Sequence, residues 1–156
     1  MVFEFKSLPS GYYNLGEAAA FDMLANGTDA VDNLAQLWRT WVTIGVTSFT
    51  FDGVVYIIPE GFLTDFSSVP RVFRWLISPN GQPHQLAAVL HDYLYSSGAV
   101  TRPAADRAFK QAALAAGSPA WRAALMYWAI RVGGWPAWRN NRANLLELGP
   151  RWRFVQ

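Results

Sequence analysis

The sequence predicts an α+β domain: an N-terminal antiparallel β-hairpin or small sheet, followed by a bundle of about four short helices. Three observations carry that expectation. Ser48-Phe-Thr-Phe51 and Val54-Val-Tyr-Ile-Ile58 are rich in β-branched and aromatic residues and flank Asp52-Gly53, and an Asp-Gly pair between two such runs signals a hairpin. Beyond residue 67 the chain reads as helices punctuated by Ser, Thr, Pro and Gly. With 156 residues, 52% apolar and 15% charged, it is long enough for one core and too apolar for ordinary disorder.

In order, residues 1–39 read as an acidic N-terminal extension. Leu8-Pro-Ser-Gly11 and Asn26-Gly-Thr-Asp29 are turn signals. Short helices are expected at 17–24 and 29–37, the second with Asp29 as N-cap. The core domain spans 40–139 and begins with Trp41-Val-Thr-Ile-Gly-Val46, a further β run. Pro59 and Gly61 end the hairpin and deliver the chain to a Thr64-Asp65 loop. Ser67 or Ser68 caps a short helix carrying Phe73, Trp75 and Leu76, with Pro70 in its first turn. Pro83 starts a second helix, stopped by Ser96-Ser-Gly98; Thr101 caps a third, with Pro103 in its first turn, reaching Ala116-Gly117. Ser118 and Pro119 open a fourth, closed by Gly133-Gly134, and residues 140–156 form an Arg- and Trp-containing tail.

Composition excludes several classes of chemistry. The chain has no cysteine, which removes disulfides, zinc ribbons, iron–sulfur clusters and thiol nucleophiles. No apolar run approaches the roughly 20 residues that span a bilayer, and Met-Val-Phe-Glu-Phe-Lys does not read as a signal peptide. There is no Gly-x-Ser-x-Gly, no P-loop and no dinucleotide turn, so no nucleotide cofactor is expected.

The formal charge of +2 hides a gradient. Residues 1–35 set Lys6 against Glu4, Glu17, Asp22, Asp29 and Asp32, a net of −4. Residues 102–156 carry eight Arg and Lys110 against Asp106 and Glu147, a net of +7, interleaved with Trp121, Trp128, Trp135, Trp138 and Trp152. Arg with aromatic residues suits a protein interface. Without clustered Lys or a nucleic-acid motif, nucleic acid is not the expected partner.

Candidate site residues are polar groups set in apolar sequence, where an unpaired charge is costly. Asp65 lies between a strand and a helix, with Thr64, Ser67 and Ser68 around it, a place where a rigid element positions a reactive group. His91 shares a helical face with His84, and Asp92 lies about 100° further round. Asp106 falls in the first turn of the next helix among Ala105, Ala108 and Phe109. Asp65, His91, Asp92 and Asp106 are the candidate catalytic residues, and Arg102 and Thr64 the candidate substrate-binding ones. An oxygen-rich set with one imidazole suits Mg²⁺, Mn²⁺ or Zn²⁺ held by Asp65, His91 and Asp106, and such an ion activates water for hydrolysis. The same residues would also serve as a buried ion-pair cluster joining a loop to two helices.

Three motifs in order resemble a family of small phage and prophage proteins known as a domain of unknown function. They are Pro59-x-Gly61-Phe-x-Thr64-Asp65-x-x-Ser68-Val-Pro70-Arg71, Ala87-Ala-Val-x-His91-Asp92-Tyr-Leu-Tyr95 and Arg102-x-x-Ala105-Asp106-x-x-Phe109. A later stretch, Arg122-x-x-x-Met126-Tyr-x-Ala-Ile-Arg131-x-Gly133-Gly-x-x-x-Trp138, also fits. The resemblance implies a phage or prophage origin in a bacterial host and brings no established activity with it.

Two functions are expected. The first is a metal-dependent hydrolase acting on cell wall or phosphoester, with Asp92 orienting His91 or acting as base and Arg102 binding an anionic group. The second is a non-catalytic virion or assembly component that binds phage structural or assembly proteins through its N-terminal arm and C-terminal tail. Either would be made in the cytoplasm of the bacterial host during phage production, and the second would enter the virion.

Overall fold

A computed structural model describes residues 3–15, 17, 18, 40–64 and 84–148. It is an α+β arrangement of small antiparallel sheets followed by four helices. The strands are β1 (Phe3–Ser7), β2 (Gly11–Asn14), β3 (Trp41–Ile44), β4 (Thr47–Phe51), β5 (Val54–Ile58) and β6 (Leu63–Thr64). The helices are α1 (His84–Ser97), α2 (Arg102–Ala115), α3 (Ala120–Gly133) and α4 (Trp135–Leu148). One sheet has the order β1-β4-β5 and the other β2-β3-β6.

The hairpin forms where the sequence places it. Phe51 pairs with Val54, and Asp52 and Gly53 both have positive φ, 50° and 81°. That is the backbone a two-residue turn between twisted strands requires. Alternation along β4 then buries Thr47, Phe49 and Phe51 on one face. Phe3 and Phe5 of β1 pair with Phe51 and Phe49, and Phe49 stacks on Tyr56 of β5 at 5.2 Å. This aromatic face closes over α1 and α2, whose inward residues include Ala87, Leu90, Leu94, Ala105, Ala108, Phe109 and Ala112. Small alanines let the α2 backbone approach its neighbours closely, and Phe109 fills the space between them.

Three details differ from the sequence reading. Residues 3–7 and 11–14, in the stretch read as an extension, supply a strand to each sheet. The run Phe3-Glu-Phe-Lys6 alternates buried and exposed as a half-buried strand does. Gly133-Gly134 ends α3 but not the helical region: α4 starts at once and extends to Leu148. Pro136 does not prevent this, because the first turn has no intrahelical donor to lose. Thr101 holds the N-cap position of α2 with extended backbone, but its side chain makes no capping bond. The helix opened by Ser118 and Pro119 includes Gly133, with Pro119 as its N-cap.

The expected helix with Phe73, Trp75 and Leu76, the helix at 29–37, and the end of the tail from Gly149 to Gln156 fall outside the described residues. So does the helix expected at 17–24, apart from its first two positions.

Candidate functional site: a buried carboxylate hub

Helix α1 buries Ala87, Leu90, His91, Leu94 and Tyr95, spaced as one helical stripe. Helix α2 buries Ala105, Asp106, Phe109 and Ala112 in the same way. His91 sits at the centre of the first stripe, with Tyr95 one turn on, Asp106 sits at the centre of the second, and the two stripes face each other. His91 and Asp106 are both 0% exposed, and His91 Nε2 lies 2.9 Å from Asp106 Oδ1.

Asp106, on α2, gathers donors from both α1 and α3. Its Oδ1 also accepts from the Tyr95 hydroxyl at 2.6 Å, and its Oδ2 accepts from Arg131 Nη1 of α3 at 2.7 Å. Arg102 Nε stands 3.9 Å from Oδ2, beyond hydrogen-bond reach. Burial alone would raise the Asp106 carboxyl pKa; bonds from His91, Tyr95 and Arg131 outweigh it and hold the group below the usual carboxylate value. Burial and the bond to Asp106 push the Tyr95 hydroxyl up, and the same carboxylate raises Arg131.

An ionised carboxylate only accepts, so His91 Nε2 must be the donor. In the neutral form of the ring the lone pair would then lie on Nδ1. That atom is buried and has no hydrogen-bond partner among the described residues. The ring packs against Tyr95, centroids 4.0 Å apart, and edge-on to Phe109 at 5.6 Å.

Arg102 is engaged at a helix end. Its Nη2 donates to the carbonyls of Ile130 and Arg131 at 3.1 and 2.5 Å, which caps the last turn of α3. Its guanidinium lies 5.6 Å from the Trp135 ring centroid. Gly134 makes this close packing possible: an added Cβ would stand 2.5 Å from Ile130 O, 3.1 Å from Tyr95 Oη and 3.5 Å from Arg102 Nη2.

Asp92 points elsewhere, as one residue's rotation requires. It accepts from Thr64 Oγ1 at 2.5 Å, and Thr64 in turn pairs with Trp41 across β3 and β6. The polar candidates therefore divide between two faces of α1. His91 and Asp106 form the hub, with Arg102 at its edge, while Asp92 and Thr64 join α1 to the second sheet. Asp65 and the side chain of His84 lie outside the described residues. Among the described residues no group of three or more His, Cys, Asp or Glu is placed to hold a metal.

Sequence reasoning missed two hub members, Tyr95 and Arg131. Tyr95 follows His91 by four residues, one helical turn, which puts both on one face. Arg131 lies in an otherwise apolar helical stretch just before Gly133-Gly134, a position that asks for a buried anion.

Residues 46–130 match the family described as "Protein of unknown function (DUF1353)". A protein of Sinorhizobium fredii (strain NBRC 101917 / NGR234), described as "Uncharacterized protein y4jT", is 33% identical over 106 residues. The match covers 65% of this chain and 31% of that relative, so the chain spans about a third of its length. No solved structure matches. No helix among the described residues is long and apolar enough to cross a membrane.

Proposed function

This chain belongs to the DUF1353 family, and from that premise we propose a hydrolase of phage or prophage origin that works through His91 Nδ1. The observation that carries the reading is the bond from His91 Nε2 to the buried Asp106, which in the neutral ring would place the lone pair on Nδ1, a buried atom with no partner among the described residues. A carboxylate on the far nitrogen orients an imidazole and raises its basicity, whether the near nitrogen takes a proton from water or holds a metal. A Mg²⁺, Mn²⁺ or Zn²⁺ ion would then be met by Nδ1 together with Asp65. Asp106, whose oxygens already take three donors, would serve as the orienting group behind the ligand. The substrate would be a cell-wall bond or a phosphoester.

Elemental analysis of the purified protein tests this, paired with thermal melts with EDTA and with each ion added. The reading expects stoichiometric metal, or ion-dependent stabilisation, that is lost in His91→Ala and Asp65→Asn while the fold persists. Cell-wall and phosphoester substrates then identify the bond. No metal, no shift with any ion and no hydrolysis of either substrate class would sink it.

The second reading is a virion or assembly component without catalysis. It is favoured by the complete burial of His91 and by the way Asp106 ties α1, α2 and α3 together. On that reading the hub is a tertiary clasp, and His91→Ala would lower the melting temperature without touching any activity.

A further inference from the structure

The outward face of α3 carries an uncovered apolar seam, which Trp135 at the start of α4 extends. Trp121, Leu125, Trp128, Val132 and Trp135 follow one another at alternating steps of four and three residues and are 63%, 37%, 63%, 82% and 57% exposed. The other face of α3 packs Ala123, Met126 and Ile130 into the core. A helix apolar all round is normally buried all round. Scattered exposed apolar residues need no explanation, but three tryptophans in one continuous strip mark a contact surface. The mean step of the seam is the one at which a helix keeps a stripe against a second helix.

Charge selects the partner. Between residues 102 and 141 the cations are Arg102, Arg107, Lys110, Arg122, Arg131 and Arg139, and Asp106 is the sole acid. That acid is fully buried and already paired with Arg131. Arg131 is spent on Asp106, so two copies meeting through α3 would bring Arg122 toward a face that offers it no free carboxylate, which is unfavourable. We infer that the seam of α3 docks an amphipathic helix of another protein, whose apolar stripe is flanked by Asp and Glu. The tryptophans supply the desolvated centre and the arginines the charged rim, the division seen in interfaces whose energy is concentrated in a few residues. The inference is independent of His91 and of the hydrolase reading.

The probe is a synthetic helical peptide with Leu along one seam and Glu on both flanks, compared with the same peptide carrying Lys on its flanks. Binding to the full chain is read by calorimetry and by tryptophan fluorescence. The Glu peptide should bind at least about ten-fold more tightly than the Lys peptide, and more weakly as salt rises. Trp128→Glu and Val132→Glu, at solvent-facing positions, should each weaken it by about ten-fold or more at an unchanged melting temperature. Equal binding of both peptides, or of neither, overturns the inference. A concentration-dependent dimer dissolved by Trp128→Glu would assign the seam to a second copy instead. Release of the Glu peptide's effect by anionic vesicles that bind the seam directly would assign it to lipid, and would equally overturn the inference.

Discussion

Replacing Asp106 by Asn keeps the shape of the side chain and removes its charge, so it isolates what the hub contributes. The amide oxygen can still accept from Tyr95 or His91. The amide nitrogen, however, now faces Arg131 Nη1, 2.7 Å from the atom it replaces, and two donors meet. One charge-assisted bond is lost, worth about 1.5–3 kcal/mol, and unsatisfied polar groups add about 1–3 kcal/mol more. Arg131 is partly exposed and recovers some hydration, so a loss of about 3 kcal/mol is expected. For a chain of this size that lowers the melting temperature by about 6–12 °C. The pH dependence is the sharper test. The folded Asp106 pKa lies below its ordinary value, so its contribution is fully present above the unfolded pKa, about 3.9. It is lost as pH falls through the depressed folded pKa. Denaturant melts of the parent and Asp106→Asn should therefore differ by a constant amount near neutrality and converge in strong acid. A difference that is within about 0.5 kcal/mol at neutral pH, or that does not shrink in acid, would refute the account of the hub.

Tyr95→Phe removes the 2.6 Å donor to Asp106 and should cost about 1–2 kcal/mol in denaturant melts. Because folding raises the Tyr95 pKa, the tyrosine stabilises below the unfolded pKa of about 10 and loses that contribution as pH rises through the folded value, so the variant should show a weaker alkaline decline. Tyr12, raised to about 12 by burial, keeps its own share of that decline. Arg102→Met leaves the Ile130 and Arg131 carbonyls without their donor and should destabilise by about 1–2 kcal/mol. Arg102→Lys should not restore it, since a point charge lacks the planar fork. Gly134→Ala places a Cβ against the Ile130 carbonyl oxygen and the Tyr95 hydroxyl and should cost about 1–3 kcal/mol, measured as a lowered melting temperature.

The elements legible in the sequence are those whose signal is local. Asp52-Gly53 needs only its own two positive φ angles to make the hairpin, and Gly98, with φ 64°, ends the helical region after Ser97. The two strands before residue 15 are less legible because their pairing is long-range. Phe3 and Phe5 become strand residues by meeting Phe51 and Phe49, more than forty residues away. The acidic composition of the segment drew attention from its alternation. Helix α4 was hidden for the opposite reason: a local stop signal, Gly133-Gly134, was read as final. The glycine at 134 answers to packing against Tyr95 and Arg102, not to a left-handed turn, since its φ is −80°.

Of the hub residues, His91 and Asp106 stand out in the sequence, whereas Tyr95, Arg131 and the arrangement itself do not. His91 and Asp92 are adjacent in sequence, which invites the view that they act on one ion. Helical geometry sends them to different places instead, His91 into the stripe that meets α2 and Asp92 toward Thr64. The pairing of His91 with Asp106 was implicit in the stripes themselves. Each is buried among apolar and aromatic side chains, and two such faces pack stably only if the polar groups meet. Arg102 shows the limit of that reasoning. Its spacing of four from Asp106 suggests an ion pair, but a carboxylate already taken by His91, Tyr95 and Arg131 leaves it little to gain there. The bare carbonyls at the end of α3 are the stronger demand, and Nη2 satisfies two of them. Competition among buried acceptors, not sequence spacing, decides where the guanidinium goes. The same competition leaves two buried nitrogens here, His91 Nδ1 and Arg102 Nε, with no hydrogen-bond partner among the described residues, and of these only the imidazole nitrogen can accept a proton or hold a metal. Chemistry at this hub would therefore begin at Nδ1, with Asp106 holding the ring from behind.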